Sequence, residues 1–127
     1  MIWLPSVPYI LELFQERLGE KPILINQEGL KATVDKAEWG IPFHPKPTIW
    51  DRVAILYRDI VSEHFFADGN KRIGFMLAVI FLNKNRYFFD TTNDDAYETT
   101  IQTAQGLKTF EDLKEWFKKN SLSSFKL

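Results

Sequence analysis

His64-Phe65-Phe66-Ala67-Asp68-Gly69-Asn70-Lys71-Arg72 runs directly into Ile73-Gly74-Phe75-Met76-Leu77-Ala78-Val79-Ile80-Phe81-Leu82. The first half gathers a histidine, a carboxylate, an amide and two cations around one glycine. The second half, read at helical spacing, is apolar on every face. A helix that is apolar all round is normally enclosed by its neighbours. The stretch from Lys71 to about Asn85 is therefore expected to be the buried central helix of a bundle, with Asn70 capping its start. A loop that opens such a helix offers free backbone N–H groups and the positive end of the helix dipole, which together make an anion site.

Moving outward, the flanking text is also helical. Val7, Ile10, Leu11, Phe14 and Leu18 form a helical stripe that Gly19 and Pro22 end. Asn26 can cap a second helix to about Glu38, with Leu30, Val34 and Ala37 facing inward. Three prolines between Gly40 and Pro47 make that piece a loop. Thr48 with Asp51 reads as the capping box of a third helix carrying Ile49, Val53, Leu56 and Ile60, and His64 continues this i, i+4 series. Tyr87-Phe88-Phe89 is a short extended piece. A fifth helix runs from Asn93 or Asp94 to Gln105-Gly106, and a sixth, capped by Thr109, from Phe110 to Lys119. The tail from Ser121 to Leu127 is expected to fray. The fold class that follows is all-α, in a single domain over 1–127.

Composition sets limits on function. With a net charge of −1 and no basic run, a nonspecific electrostatic grip on nucleic acid is not expected. The absence of cysteine excludes disulfides and thiolate zinc sites and agrees with a reducing cytoplasm. No signal peptide is expected at the N-terminus, and the apolar run from Phe75 to Leu82 is too short to span a bilayer.

Singly, the residues of the opening stretch have plain uses: a helix-ending histidine, an Asp-Gly-Asn turn, two solvated cations. Together they compose a phosphate-transfer site. His64 is the candidate general base, since histidine is the side chain suited to accept a proton at neutral pH. Asp68 is an oxygen ligand suited to Mg²⁺, which commonly takes one or two carboxylates plus substrate phosphate. Gly69 lets the backbone approach a phosphate closely. Asn70 can cap the helix or donate to a phosphate oxygen. Lys71 and Arg72 can neutralise charge that develops during phosphoryl or nucleotidyl transfer.

This nine-residue stretch resembles the H-x-F-x-D-G/A-N-K-R signature of the death-on-curing (Doc) branch of the Fic superfamily. Asn26 to Ala37 resembles the family's early helix, and Phe81-Leu82-Asn83-Lys84-Asn85-Arg86-Tyr87 its FL-x-x-N-x-Y exit from the central helix. The resemblance implies a Fic-type helical fold, ATP as substrate with Mg²⁺ on Asp68, and His64, Gly69, Asn70, Lys71 and Arg72 as base and phosphate site. It further implies a toxin of a toxin–antitoxin pair that moves the γ-phosphate of ATP to a threonine of elongation factor Tu and arrests translation. The expected partners are then a cognate antitoxin and the protein target, with no direct nucleic acid and no membrane. Fic adenylyltransferases carry H-P-F-x-x-G-N-G-R-x-x-R, whereas here Phe65 replaces the proline, Lys71 the second glycine and Phe75 the second arginine. These departures disfavour AMP transfer, which stays open as the alternative. Leu24 stands where the family's inhibitory S/T-x-x-x-E-G motif needs a hydroxyl, so no self-inhibition through that motif is expected.

Other readings are narrower. Arg58 and His64 have a spacing found in some helical ribonuclease toxins, though six residues turn a helix through about 600° and do not stack the two side chains. A non-catalytic domain that kept the fold is a third class. His44 reads as a surface histidine in a loop that could act as the family's target-docking flap. Trp3, Trp39 and Phe43 read as core first and partner contacts second, and Trp50, Trp116 and Tyr87-Phe88-Phe89 as core.

Overall fold

The computed structural model describes residues 1–124. Among these lie α1 (Val7–Leu18), α2 (Gln27–Trp39), α3 (Ile49–Ser62), α4 (Asn70–Lys84), α5 (Asn93–Ala104) and α6 (Phe110–Lys119), with two short strands, β1 (Tyr87–Phe89) and β2 (Ser121–Ser123). The all-α expectation holds, and the helix ends fall where local chemistry puts them. The side chains of Ser6, Asn26, Thr48, Thr92 and Thr109 each accept a backbone N–H at the start of a helix, and Thr48/Asp51 and Thr109/Asp112 form full capping boxes.

The helix at the centre is α3, and this corrects the expectation for α4. Helices α2, α4, α5 and α6 all pack on α3, which is buried continuously from Arg52 to Tyr57 and again from Asp59 to Val61. Helix α4 buries Ile73, Leu77, Ala78, Phe81 and Leu82 but leaves Phe75, Met76, Val79 and Ile80 only half-buried. The reason lies in the polar residues of α3. Arg52 Nη1 donates to the Glu38 carbonyl at the end of α2 (3.1 Å). Asp59 accepts from Thr33 Oγ1 (3.0 Å) and meets Lys36 Nζ (2.8 Å) and Arg58 Nε (3.4 Å). Buried polar groups are tolerated when they are partnered, and α2 supplies most of the partners that α3 needs, although Arg52 Nε stays buried without one among the described residues.

The other contacts fix the ends of α3 and α4. Gly74 lets α4 lie directly on α3, since a Cβ there would stand 2.7 Å from Val61 Cγ2. Helix α5 docks through threonines: Tyr57 Oη lies 2.6 Å from Thr100 Oγ1, and Ser62 Oγ donates to the Thr103 carbonyl. The Asn85 side chain accepts from Trp3 N (2.8 Å) and donates to the Trp3 and Phe81 carbonyls, tying the N-terminal segment to the exit of α4.

Strand β2 corrects the expected fraying of the tail. It pairs antiparallel with β1 in the register Tyr87↔Ser123, Phe88↔Leu122, Phe89↔Ser121. Residues 125–127 of that tail lie outside the described residues. The aromatic expectations divide. Trp3 is half-buried against Tyr9 and Phe81, and Trp50 and Trp116 pack on Tyr87 and Phe89. Trp39 is 76% exposed, Phe43 is fully exposed and Phe88 half-exposed, so none of these three belongs to the core. Among the described residues no helix is long and apolar enough to cross a membrane.

Candidate functional site

Helix α3 ends two residues before His64, the position to which its apolar stripe points. Ser62 is its last residue, Glu63 caps it, and His64 takes a left-handed backbone with φ +53°. His64 is exposed rather than an extension of the buried face, which corrects the sequence reading. A left-handed residue other than glycine costs about 1–2 kcal/mol and needs surroundings that enforce it. Here Phe65 and Phe66, both buried, anchor the chain immediately after it, with the Phe66 ring 4.9 Å from that of Phe14.

The loop backbone is held from two sides. On one side the link before α2 forms an antiparallel bridge, Leu24↔Phe66, in which Ile25 N donates to the Phe65 carbonyl (2.8 Å) and Ala67 N to the Ile23 carbonyl (2.9 Å). On the other side Asn70 turns back. Its Oδ1 accepts the Phe66 N–H (3.0 Å) and its Nδ2 donates to the Phe66 carbonyl (2.8 Å). Asn70 is therefore the buried first residue of α4 and a loop clamp, not the expected cap. The cap position belongs to Gly69, at φ +86°, where a Cβ would stand 2.8 Å from the Phe14 ring. Only glycine meets both demands.

One consequence is electrostatic. Among the described residues, α4 alone begins without a side-chain cap, while the other five helices have one. The first bond of α4 is Ile73 N to the Gly69 carbonyl, so the amides before it keep their donor capacity. Lys71 and Arg72 follow in the same turn, both exposed. His64, Asp68, Gly69, Asn70, Lys71 and Arg72, with Val61 and Ala67, line one cavity of about 340 Å³. All six candidate residues thus meet, although Asn70 does so through the fold of the loop. The Asp68 carboxylate is 91% exposed, with Arg72 Nη2 at 3.7 Å. Among the described residues no group of three or more His, Asp or Glu side chains converges as a metal site. A divalent ion here would rest on Asp68 and on substrate oxygens, which suits Mg²⁺.

Several neighbours of the site are not legible in sequence. Glu20, Lys21 and Ile23 reach the loop from the link between α1 and α2 and, with Phe14, Ala67 and Asp68, line a second cavity of about 200 Å³ beside the first. The bridge geometry turns the Leu24 N–H and carbonyl away from the loop, leaving an open strand edge flanked by the exposed side chains of Ile23 and Ile25. The candidate flap at 40–47 lies elsewhere. It precedes α3, whose 14 residues span about 20 Å, whereas His64 follows α3. His44 lines a cavity with Ile55, Phe110 and Lys114 instead. Arg58 sits 5.1 Å over the Phe110 ring and beside Asp59, and His64 has left the helix, so the one-helix Arg58–His64 pair of the ribonuclease reading is not formed.

Residues 24–82 match the Fic/DOC family model. The matched segment begins at the bridge residue Leu24, carries α2, α3 and the loop, and ends with the last buried residue of α4. It supports a Fic-type protein-modifying transferase. No curated protein matches the chain.

Proposed function

We propose that this chain is a Doc-type protein kinase: it moves the γ-phosphate of ATP to a serine or threonine hydroxyl of a translation factor, elongation factor Tu being the first candidate, and so arrests translation. The observation that carries the reading is the single cavity in which His64 faces the start of α4 together with Asp68, Lys71 and Arg72. A base, an uncapped helix start and two cations in one recess are the parts that phosphoryl transfer requires.

In this reading the triphosphate lies against the amides at the start of α4, with Lys71 and Arg72 balancing its charge. His64 takes the proton from the target hydroxyl as that oxygen forms a bond to the γ-phosphorus. The bond from the γ-phosphorus to the β–γ bridging oxygen breaks, and ADP leaves. Mg²⁺ on Asp68, when bound, supplies further neutralisation of the phosphate oxygens. A lysine in the cradle, where adenylyltransferases have glycine, favours the γ-phosphate over AMP. The open edge at Leu24, on the segment that pairs with the loop, offers an extended segment of the target a backbone partner. The same reading makes the protein a cytoplasmic toxin held in check by a cognate antitoxin.

The test is a labelling assay with purified elongation factor Tu, Mg²⁺ and ATP labelled at either the γ- or the α-phosphate. Label from the γ position alone, lost in His64→Ala, is the expected result. Label from the α position would make the protein an adenylyltransferase, and label from neither would overturn the transferase reading for this target.

A further inference from the structure

Arg72 is already engaged. Its Nη2 lies 3.0 Å from Glu20 Oε1 and 3.7 Å from Asp68 Oδ2. The two acids differ in origin. Asp68 is on the loop itself, one turn before Arg72. Glu20 comes from the far side, directly after the left-handed Gly19 that ends α1, and is 52 residues away in sequence. Glu20 has no other hydrogen-bond or ion-pair partner among the described residues. Its side chain and that of Arg72 are each about half exposed, at 51% and 52%.

A phosphate at the start of α4 competes for the guanidinium that Glu20 now engages through Nη2, and it must approach past a second negative charge. A half-exposed ion pair is weak and screened by salt, whereas guanidinium–phosphate contacts are charge-assisted and often bidentate. The pair is therefore strong enough to bias Arg72 and weak enough to be displaced.

We propose that Glu20 is a built-in competitor for Arg72, which holds the guanidinium on the α1–α2 link and attenuates anion binding at the loop until a phosphate displaces it. The inference rests on the phosphate-site reading of the loop, and it names a residue outside the sequence signature as the regulator of that site's affinity.

The probe is inorganic pyrophosphate, titrated calorimetrically into the full chain and into Glu20→Gln, Arg72→Ala and the double variant, with thermal melts to show that each is folded. Glu20→Gln is expected to bind about two- to five-fold more tightly at low salt, the range of an exposed ion pair. The gain should shrink as salt rises and vanish in the Arg72→Ala background. Equal or weaker binding by Glu20→Gln overturns the inference. So does a gain that survives without Arg72, because the effect would then be general charge rather than competition. Absence of pyrophosphate binding in every variant would overturn the phosphate-site reading and this inference with it, whereas binding without the Glu20→Gln gain overturns this inference alone.

Discussion

Asn70 closes both backbone polar groups of Phe66 at once, with Phe66 N–H to Oδ1 at 3.0 Å and Nδ2 to the Phe66 carbonyl at 2.8 Å. One buried carboxamide thus stands in for a strand partner. The other strand partner of the loop is the link at Leu24.

Asn70→Ala is expected to leave two buried backbone groups unpaired. The loss is roughly 2–4 kcal/mol of stability, by the usual cost of an orphaned buried group. Urea denaturation measures it. An unchanged midpoint would show that water replaces the amide and that the clamp is dispensable.

His64 behaves oppositely. It is exposed. His64→Asn should leave stability within about 0.5–1 kcal/mol, because asparagine tolerates the left-handed backbone. It should still lower transfer by about 100-fold or more, the usual contribution of a general base. Paired melting curves and label-transfer rates decide the matter. Wild-type-like transfer by a folded variant would remove His64 from the mechanism.

Asp59 holds α2 to α3 through Thr33 and Lys36. Asp59→Ala strands the cations beside a buried surface and should cost about 3 kcal/mol, the low end for a broken buried pair. The low end applies because Lys36 and Arg58 each keep 35% side-chain exposure. A chemical denaturation series with Asp59→Ala and Lys36→Met tests it. Equal, small losses for both variants would show that the pair contributes little.

Acid stability should report on Asp95. The Thr91 hydroxyl, and then the Trp116 indole N–H, hold its carboxyl below its ordinary 3.8. A depressed carboxylate contributes stability that is fully present above its unfolded value and is lost as pH falls through the folded value. The melting temperature of the wild-type protein should therefore exceed that of Asp95→Asn at neutral pH, with the gap closing as pH falls below the ordinary carboxylate value of 3.8. A gap independent of pH would assign the difference to packing rather than to charge.

Much of the fold and of the candidate site is legible in the sequence because it is local. Ser6, Asn26, Thr48 with Asp51, and Thr109 with Asp112 set helix starts through contacts three residues long. The six candidate residues lie within nine positions, so a single loop has to bring them together. The sequence misleads where a local rule meets a distant partner. The stripe of α3 points through His64, but burial of Phe65 and Phe66 takes the chain out of the helix two residues earlier. Asn70 has the chemistry of a cap, and nothing nearby in sequence shows that Phe66 claims its amide.

The amino-acid order alone places the helices, caps such as Asn26, Thr48 and Thr109, and the chemical inventory of one loop, because hydrophobic period and capping act over a few residues. Three-dimensional packing is what makes α3 rather than α4 central, since Arg52 and Asp59 become buriable only when α2 brings the Glu38 carbonyl, Thr33 and Lys36 to them. Packing also pairs Phe89 with Ser121, sets Leu24 against Phe66 and brings Glu20 to Arg72. Those contacts join residues that no periodicity relates, and they form only when burial of the common core fixes where each chain segment passes the others.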